Sequence, residues 1–207
     1  DIKAFYVSPL GRAQDTAGYT LRKMNRTATT CEWLREFSPT INRPDCTTKR
    51  RIPWDWLPQD IEQYDELYNK NTWYTNPLMQ EGKIGEEYNW VSDNLDALLA
   101  AHGYVRDGKF YRAEHPNNDT IVFFCHFGVE SVLLSHLLNI APSAIWQGFC
   151  AAPSSVTTVV TEERRKGIAS FRTSSFGDIS HLYANNEPPA VSARFCECFD
   201  NTDERHD

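Results

Sequence analysis

The sequence predicts an α/β fold: a three-layer sandwich with a mostly parallel central sheet, helices on both faces, and an aromatic-rich insertion. Three observations carry this reading. Two segments, 2–24 and 120–139, each read as a short buried strand, a loop and a helix. The run "TIVFFC" (120–125) is apolar throughout, as in strands covered on both faces of a parallel sheet. Strands that alternate with helices in this way pack as helices around a sheet.

Taken in order, "IKAFYV" (2–7) reads as the first strand, and Ala13, Ala17, Leu21 and Met24 recur at helical spacing from Gly11 onward. Residues 37–82 differ in character, being rich in Pro, Asn, Asp and aromatics. They are too long and too aromatic for a connector and read as an insertion or lid with one helix at 59–70. Its aromatics Trp54, Trp56, Tyr64, Tyr68, Trp73 and Tyr74 suit either a pocket wall or a small core under the lid. Ile84, Tyr88, Val91, Leu95, Leu98 and Leu99 then mark an amphipathic helix. "YVRDGKFYR" (104–112) has the Asp-Gly turn of a hairpin. After the strand at 120–125 comes a helix with Val129, Val132, Leu133, His136 and Leu137 on one face, His136 reading as core. Residues 154–161 and 167–173 read as adjacent strands joined by the polar turn "EERRK", and the tail from Asn185 is polar.

Composition sets the outer bounds. A chain of 207 residues with 41% apolar and 24% charged residues suits a single domain with a sizeable core. A net charge of −7 argues against a general nucleic-acid or anionic-membrane surface, so an anion site here is a local basic pocket. No apolar run has the roughly 18–20 residues of a membrane span, and the chain opens without a basic-then-apolar leader. The expected location is therefore cytoplasmic, with the cysteines reduced. Cys125 reads as a core thiol, and the Cys196-x-Cys198 pair lacks a second pair at zinc-like spacing, so no metal is expected.

Two residues stand out for chemistry. Arg12 falls in the first turn of the first helix, where the helix dipole disfavours a cation. A charge kept there suits a doubly negative ligand, and unpaired N–H groups at such a terminus also attract anions. His126 ends the strand at 120–125, ahead of Gly128 and a helix N-terminus that offers further N–H donors. Both follow the carboxyl end of a strand, the rim where α/β sheets hold ligands. His102 and His115 sit in loops and read as solvated, while His181 admits either a structural or a functional role. Glu36, in "CEWLREFSP" at the start of the insertion, would by itself be a surface carboxylate.

"SPLGRAQDTA" resembles the Ser-x-Leu-x-Arg-Ala-x-x-Thr-Ala signature of the histidine phosphatase superfamily, the phosphoglycerate-mutase-like proteins, with Ser8, Leu10, Arg12, Ala13, Thr16 and Ala17 all matching. "TIVFFCHFGVESVLLSHLL" resembles the family's second signature, with Cys125 and Phe127 in place of its usual Ser and first Gly. "LREFSP" is similar to the element that carries the family's acid, and "FGDISHL" to a C-terminal segment. The resemblance implies a small phosphorylated substrate, phosphate or sulfate in the site, and no cofactor. It implies that Arg12, Ser8 and His126 bind the phosphoryl group. His126 would also act in catalysis by adding charge to the phosphoryl oxygens, and Glu36 would protonate the leaving alcohol. In the family the phosphoryl passes to a nucleophilic His and then to water, without a metal.

That nucleophile lies in an Arg-His-Gly motif, and no such tripeptide occurs in these residues. The expectation is that an upstream strand and helix of roughly 30 residues carries it. Two alternatives stand beside a phosphatase. A mutase would need further basic residues, for which Lys49, Arg50 and Arg51 are the only nearby cluster, and a run of that kind is more often a solvated face. An inactive module would hold phosphorylated ligands through Arg12 and His126.

Overall fold

In the computed structural model, which describes residues 1–46, 50–190 and 192, a parallel sheet forms from β1 (Ile2–Val7), β2 (Thr29–Thr30) and β5 (Thr120–Phe124) in the order β2-β1-β5. Side chains alternate across it, as strand geometry requires. Tyr6, Ile121 and Phe123 pack into the main core, whereas Val7 and Phe124 pack against Ala13 and Ala17 of α1 (Gly11–Met24). The main core lies under α4 (Ile84–Ala101) and α5 (Phe127–Leu138), which contribute Tyr88, Val91, Leu95, Val129, Val132 and Leu133. Helices therefore cover both faces of the sheet, giving the three layers. The second edge of β5 pairs with no strand among the described residues.

The remaining strands form a separate antiparallel sheet in the order β3-β4-β7-β6: β3 (Tyr104–Asp107), β4 (Phe110–Ala113), β6 (Val156–Arg165) and β7 (Ile168–Asp178). Two-residue connections dictate this, since they can join only antiparallel neighbours. Gly108 (φ 59) and Gly167 (φ 80) supply the left-handed positions those turns need. The polar run Glu162–Arg165 is strand rather than turn: it is an edge with an outward charged face, and Arg172 Nη1 pairs across it with Glu162 Oε1 at 2.9 Å.

The expected helix at 59–70 is broken in two, α2 (Pro58–Ile61) and a 3-10 turn over Asp65–Tyr68. Ile61 and Leu67 both point into the core, and Tyr64 between them leaves helical geometry (φ −126, ψ 60) to set its ring edge-on against Trp56. Trp54, Trp56 and Trp73 belong to the main core, not to a separate one, while Tyr68 and Tyr74 are exposed. A further 3-10 turn (Trp73–Thr75) leads into α3 (Pro77–Glu81), capped by Asn76, whose Oδ1 accepts the Leu78 N–H. Helices α6 (Pro142–Gly148) and α7 (Ser180–Tyr183) complete the fold.

Two histidines differ from their sequence reading. His136 is half-buried rather than apolar core, because Asp96 Oδ2 lies 2.8 Å from its Nε2. His102 is not free in solvent; its Nε2 shares a 2.7 Å hydrogen bond with the Tyr6 hydroxyl. No helix among the described residues is long and apolar enough to cross a membrane.

Candidate functional site

The carboxyl ends of β1 and β5 bring Ser8, Arg12 and His126 together. Ser8 extends the ladder, its N–H donating to the Phe124 carbonyl at 2.8 Å, which fixes the buried hydroxyl beside the residue that ends β5. Arg12 Nε donates to His126 Nδ1 at 3.0 Å. Nδ1 is then an acceptor, so the ring proton sits on Nε2, which donates to Ser8 Oγ at 2.8 Å. That hydroxyl oxygen also accepts the Leu10 N–H at 3.2 Å. Burial, reinforced by the Arg12 charge, pushes the His126 pKa down to about 4. The imidazole is therefore neutral at rest, poised by two neighbours in one tautomer.

Arg12 uses only Nε on His126. Its Nη groups make no hydrogen bond among the described residues and project from the rim, with Nη2 3.9 Å from Glu36 Oε2. A guanidinium with its fork free suits bidentate recognition of an oxyanion.

Glu36 follows a 3-10 turn (Glu32–Leu34) that buries Trp33 and Leu34 and so turns the carboxyl inward. Its Oε1 accepts the N–H groups of Phe37 at 2.9 Å and Val129 at 3.3 Å, with a further bond from the Gly128 N–H. Burial raises its pKa, and these N–H groups and the Arg12 charge only partly oppose the rise. This corrects one expectation. The Gly128 and Val129 N–H groups at the start of α5 are not offered to a ligand; they already hold Glu36.

Gly128 is where these groups meet. A Cβ there would lie 2.5 Å from the Trp54 ring and 2.7 Å from Glu36 Oε1, so only glycine lets the helix start, the carboxyl and the indole approach. Trp146 closes the contact by donating its Nε1–H to the Gly128 carbonyl at 3.1 Å. Trp54 is in turn held by Arg43, a buried guanidinium that forks onto Asp45 and also donates to the Trp54 and Asp55 carbonyls at 2.5 Å each.

Sequence reasoning missed Trp146 and Glu130, and named Trp54 among the insertion's aromatics without its contact to Gly128. Glu130 stands in the first turn of α5, its N–H donating to the carbonyl of the N-cap His126 at 2.8 Å. Its carboxyl is half-buried, bonded to the Thr157 hydroxyl and near Glu36, and burial together with the Glu36 charge raises its pKa. Among the described residues no cluster of three His, Cys, Asp or Glu could hold a metal. Cys125 is a free thiol whose pKa burial pushes up, and Cys196 and Cys198 lie outside the described residues.

An arginine in the first turn of α1, a neutral histidine held against it and a half-buried carboxyl thus share one rim. The sequence profile of the histidine phosphatase superfamily (branch 1) matches residues 1–173, and the chain belongs to that family. Among solved structures, one titled "Mycobacterial hydrolase 1" is 13% identical with a TM-score of 0.49 over 86% of this chain and 77% of that one. An alpha-ribazole phosphatase from Shigella flexneri is 16% identical with a TM-score of 0.46, covering 84% of this chain and 73% of its own. No curated protein matches the sequence. Membership supports phosphatase or phosphotransfer chemistry in general on small phosphorylated substrates.

Proposed function

We propose that this protein hydrolyses phosphomonoesters through a phosphohistidine intermediate, without a metal. The observation that carries the proposal is the Arg12 fork, without a hydrogen bond among the described residues, beside the half-buried Glu36, whose pKa burial raises. Arg12 holds two phosphoryl oxygens. His126 and Ser8, already joined by a hydrogen bond, turn toward the same group, and His126 gains charge as the dianion replaces Arg12 at its ring. An attacking imidazole forms a P–N bond as the P–O bond to the alcohol breaks, and Glu36 gives its proton to the departing oxygen. Water then attacks phosphorus as the P–N bond breaks and the imidazole leaves with its electron pair; a proton of the water passes to Glu36, and phosphate is freed.

We assign the nucleophile to a strand outside these residues, for which the edge of β5 that pairs with no strand among the described residues offers a place beside His126. Such a strand, laid parallel to β5, would end at the same rim. Hydrolysis is preferred over a mutase reaction because Arg50 already donates to the Thr40 hydroxyl at 3.0 Å and carbonyl at 3.1 Å.

The test is leaving-group dependence in the enzyme carrying its nucleophile. A general acid matters in proportion to the basicity of the leaving oxygen. Glu36→Gln is expected to lower hydrolysis of alkyl phosphates by about 10²-fold or more while affecting p-nitrophenyl phosphate far less. Equal losses on both substrates would remove Glu36 from the acid role.

A further inference from the structure

We propose that Trp54 is a positioning residue for the reaction: its ring edge excludes water from the inner face of the Glu36 carboxyl and so keeps that group in its proton-donating form. The inference rests on the phosphatase reading for the use made of the proton, and not for the contact itself.

The contact is made where Gly128 lacks a side chain. A Cβ at that position would stand 2.5 Å from Trp54 Cη2 and 2.7 Å from Glu36 Oε1, so the benzo edge of the indole and the carboxyl oxygen meet around one missing atom. That space is too small for a water molecule, and the carboxyl is desolvated on this side. Trp54 has little freedom to retreat. It is 6% exposed, its ring packs on Trp146 with centroids 5.6 Å apart and on Phe37 at 6.4 Å, and Arg43 holds its carbonyl.

The two carboxyl oxygens have different surroundings. Oε1 accepts the Phe37 and Val129 N–H groups, so the proton belongs on Oε2. Oε2 is the oxygen 3.9 Å from Arg12 Nη2, where a phosphoryl group held by Arg12 would bring its leaving oxygen. The charged and titratable groups that act on this carboxyl or respond to it are Arg12 of α1, Cys125 beyond the end of β5 and Glu130 of α5. Arg12 favours the carboxylate, and Cys125 is a neutral thiol. Glu130, whose own pKa is raised, is a weak source of negative charge. Desolvation is the cause that holds the proton on Glu36, and the Trp54 edge supplies it at Oε1.

The test follows the Glu36 carboxyl by ¹³C NMR in this chain, with Trp54→Phe as the variant, since Phe keeps a ring for Trp146 and Phe37 but withdraws the benzo edge. The Glu36 midpoint should fall toward that of an exposed glutamate, because water then reaches the charged form. In the unaltered chain the Trp54 ring carbons should shift with the Glu36 midpoint, and Glu36→Gln should abolish that shift, a readout that needs no core substitution. A Glu36 midpoint unmoved in the folded variant, or Trp54 resonances blind to Glu36, overturns the inference. In the enzyme carrying its nucleophile, Trp54→Phe should lower hydrolysis of alkyl phosphates relative to p-nitrophenyl phosphate by about 10-fold at neutral pH, and acidification should restore it. A loss equal on both substrates, or equal at every pH, is that of a misplaced carboxyl and overturns the positioning role. No turnover of either substrate by the unaltered enzyme, with both NMR results met, refutes the phosphatase reading and the use of the proton while the contact stands.

Discussion

Arg12→Ala lowers kcat/KM of the enzyme carrying its nucleophile by on the order of 10²-fold or more, the scale of losing a preorganised donor to developing charge. The fork of this guanidinium faces the rim, where its one partner among the described residues is Glu36 at 3.9 Å, so the loss falls on catalysis. The side chain's one hydrogen bond among the described residues is Nε to His126, and it is 63% exposed, so thermal stability should change little. The substitution also removes the second cause of the depressed His126 pKa, which should rise. Steady-state kinetics with an alkyl phosphate, beside a melting curve, checks both expectations. Unchanged kinetics would mean that Arg12 does not hold the phosphoryl group.

Arg43→Met is expected to cost about 3–5 kcal/mol of stability, the scale for breaking one side of a buried ion pair. The pair is almost wholly out of water, with side-chain exposures of 3% for Arg43 and 0% for Asp45. The substitution removes the guanidinium from the buried Asp45 carboxylate and also unties the Trp54 and Asp55 carbonyls that Arg43 gathers. Burial alone would raise the Asp45 pKa, but the Arg43 fork and the Leu57 N–H outweigh it and hold the group below its usual value. The sign of the pH dependence follows. The stabilisation is fully present above about pH 4 and is lost as the pH falls through the lowered pKa. Denaturant unfolding of wild type and variant across that range measures both effects. An Arg43→Met/Asp45→Leu double variant should recover part of the loss, since the buried charge is then gone. A cost under about 1 kcal/mol for the single variant would place the pair among weak surface contacts instead.

The parallel half of the fold was legible because strands covered on both faces are apolar runs, as at 120–124, and because Ala13 and Ala17 mark the helix face that must approach a sheet closely. The antiparallel sheet was visible as hairpins but not as a second layer, since pairing between β4 and β7 joins segments far apart in sequence. Charged residues at Glu162–Arg165 mimic a turn when their strand is an exposed edge. In the site, the strand-end positions of Arg12 and His126 could be read directly. The Gly128 contact could not, because Trp54, Trp146 and Glu36 converge there from three separate segments, and only the lack of a Cβ allows it. Nor could the sequence show that Glu36 takes the N–H donors of α5, which looked available to a ligand until a carboxylate was found on them.

The central claim is that Ser8, Arg12, Glu36 and His126 form one phosphoryl site, and the His126 imidazole reports on it most directly. In the chain without ligand its nitrogen resonances should titrate with a midpoint near pH 4, because burial and then the Arg12 guanidinium disfavour the imidazolium. A bound phosphate dianion reverses that balance by drawing Arg12 to itself and adding negative charge at the ring. With saturating phosphate, ¹⁵N NMR should therefore show the midpoint moving up to about 6.5 or beyond, the range of an unperturbed or anion-paired histidine. A midpoint that stays near 4 in saturating phosphate would contradict the account.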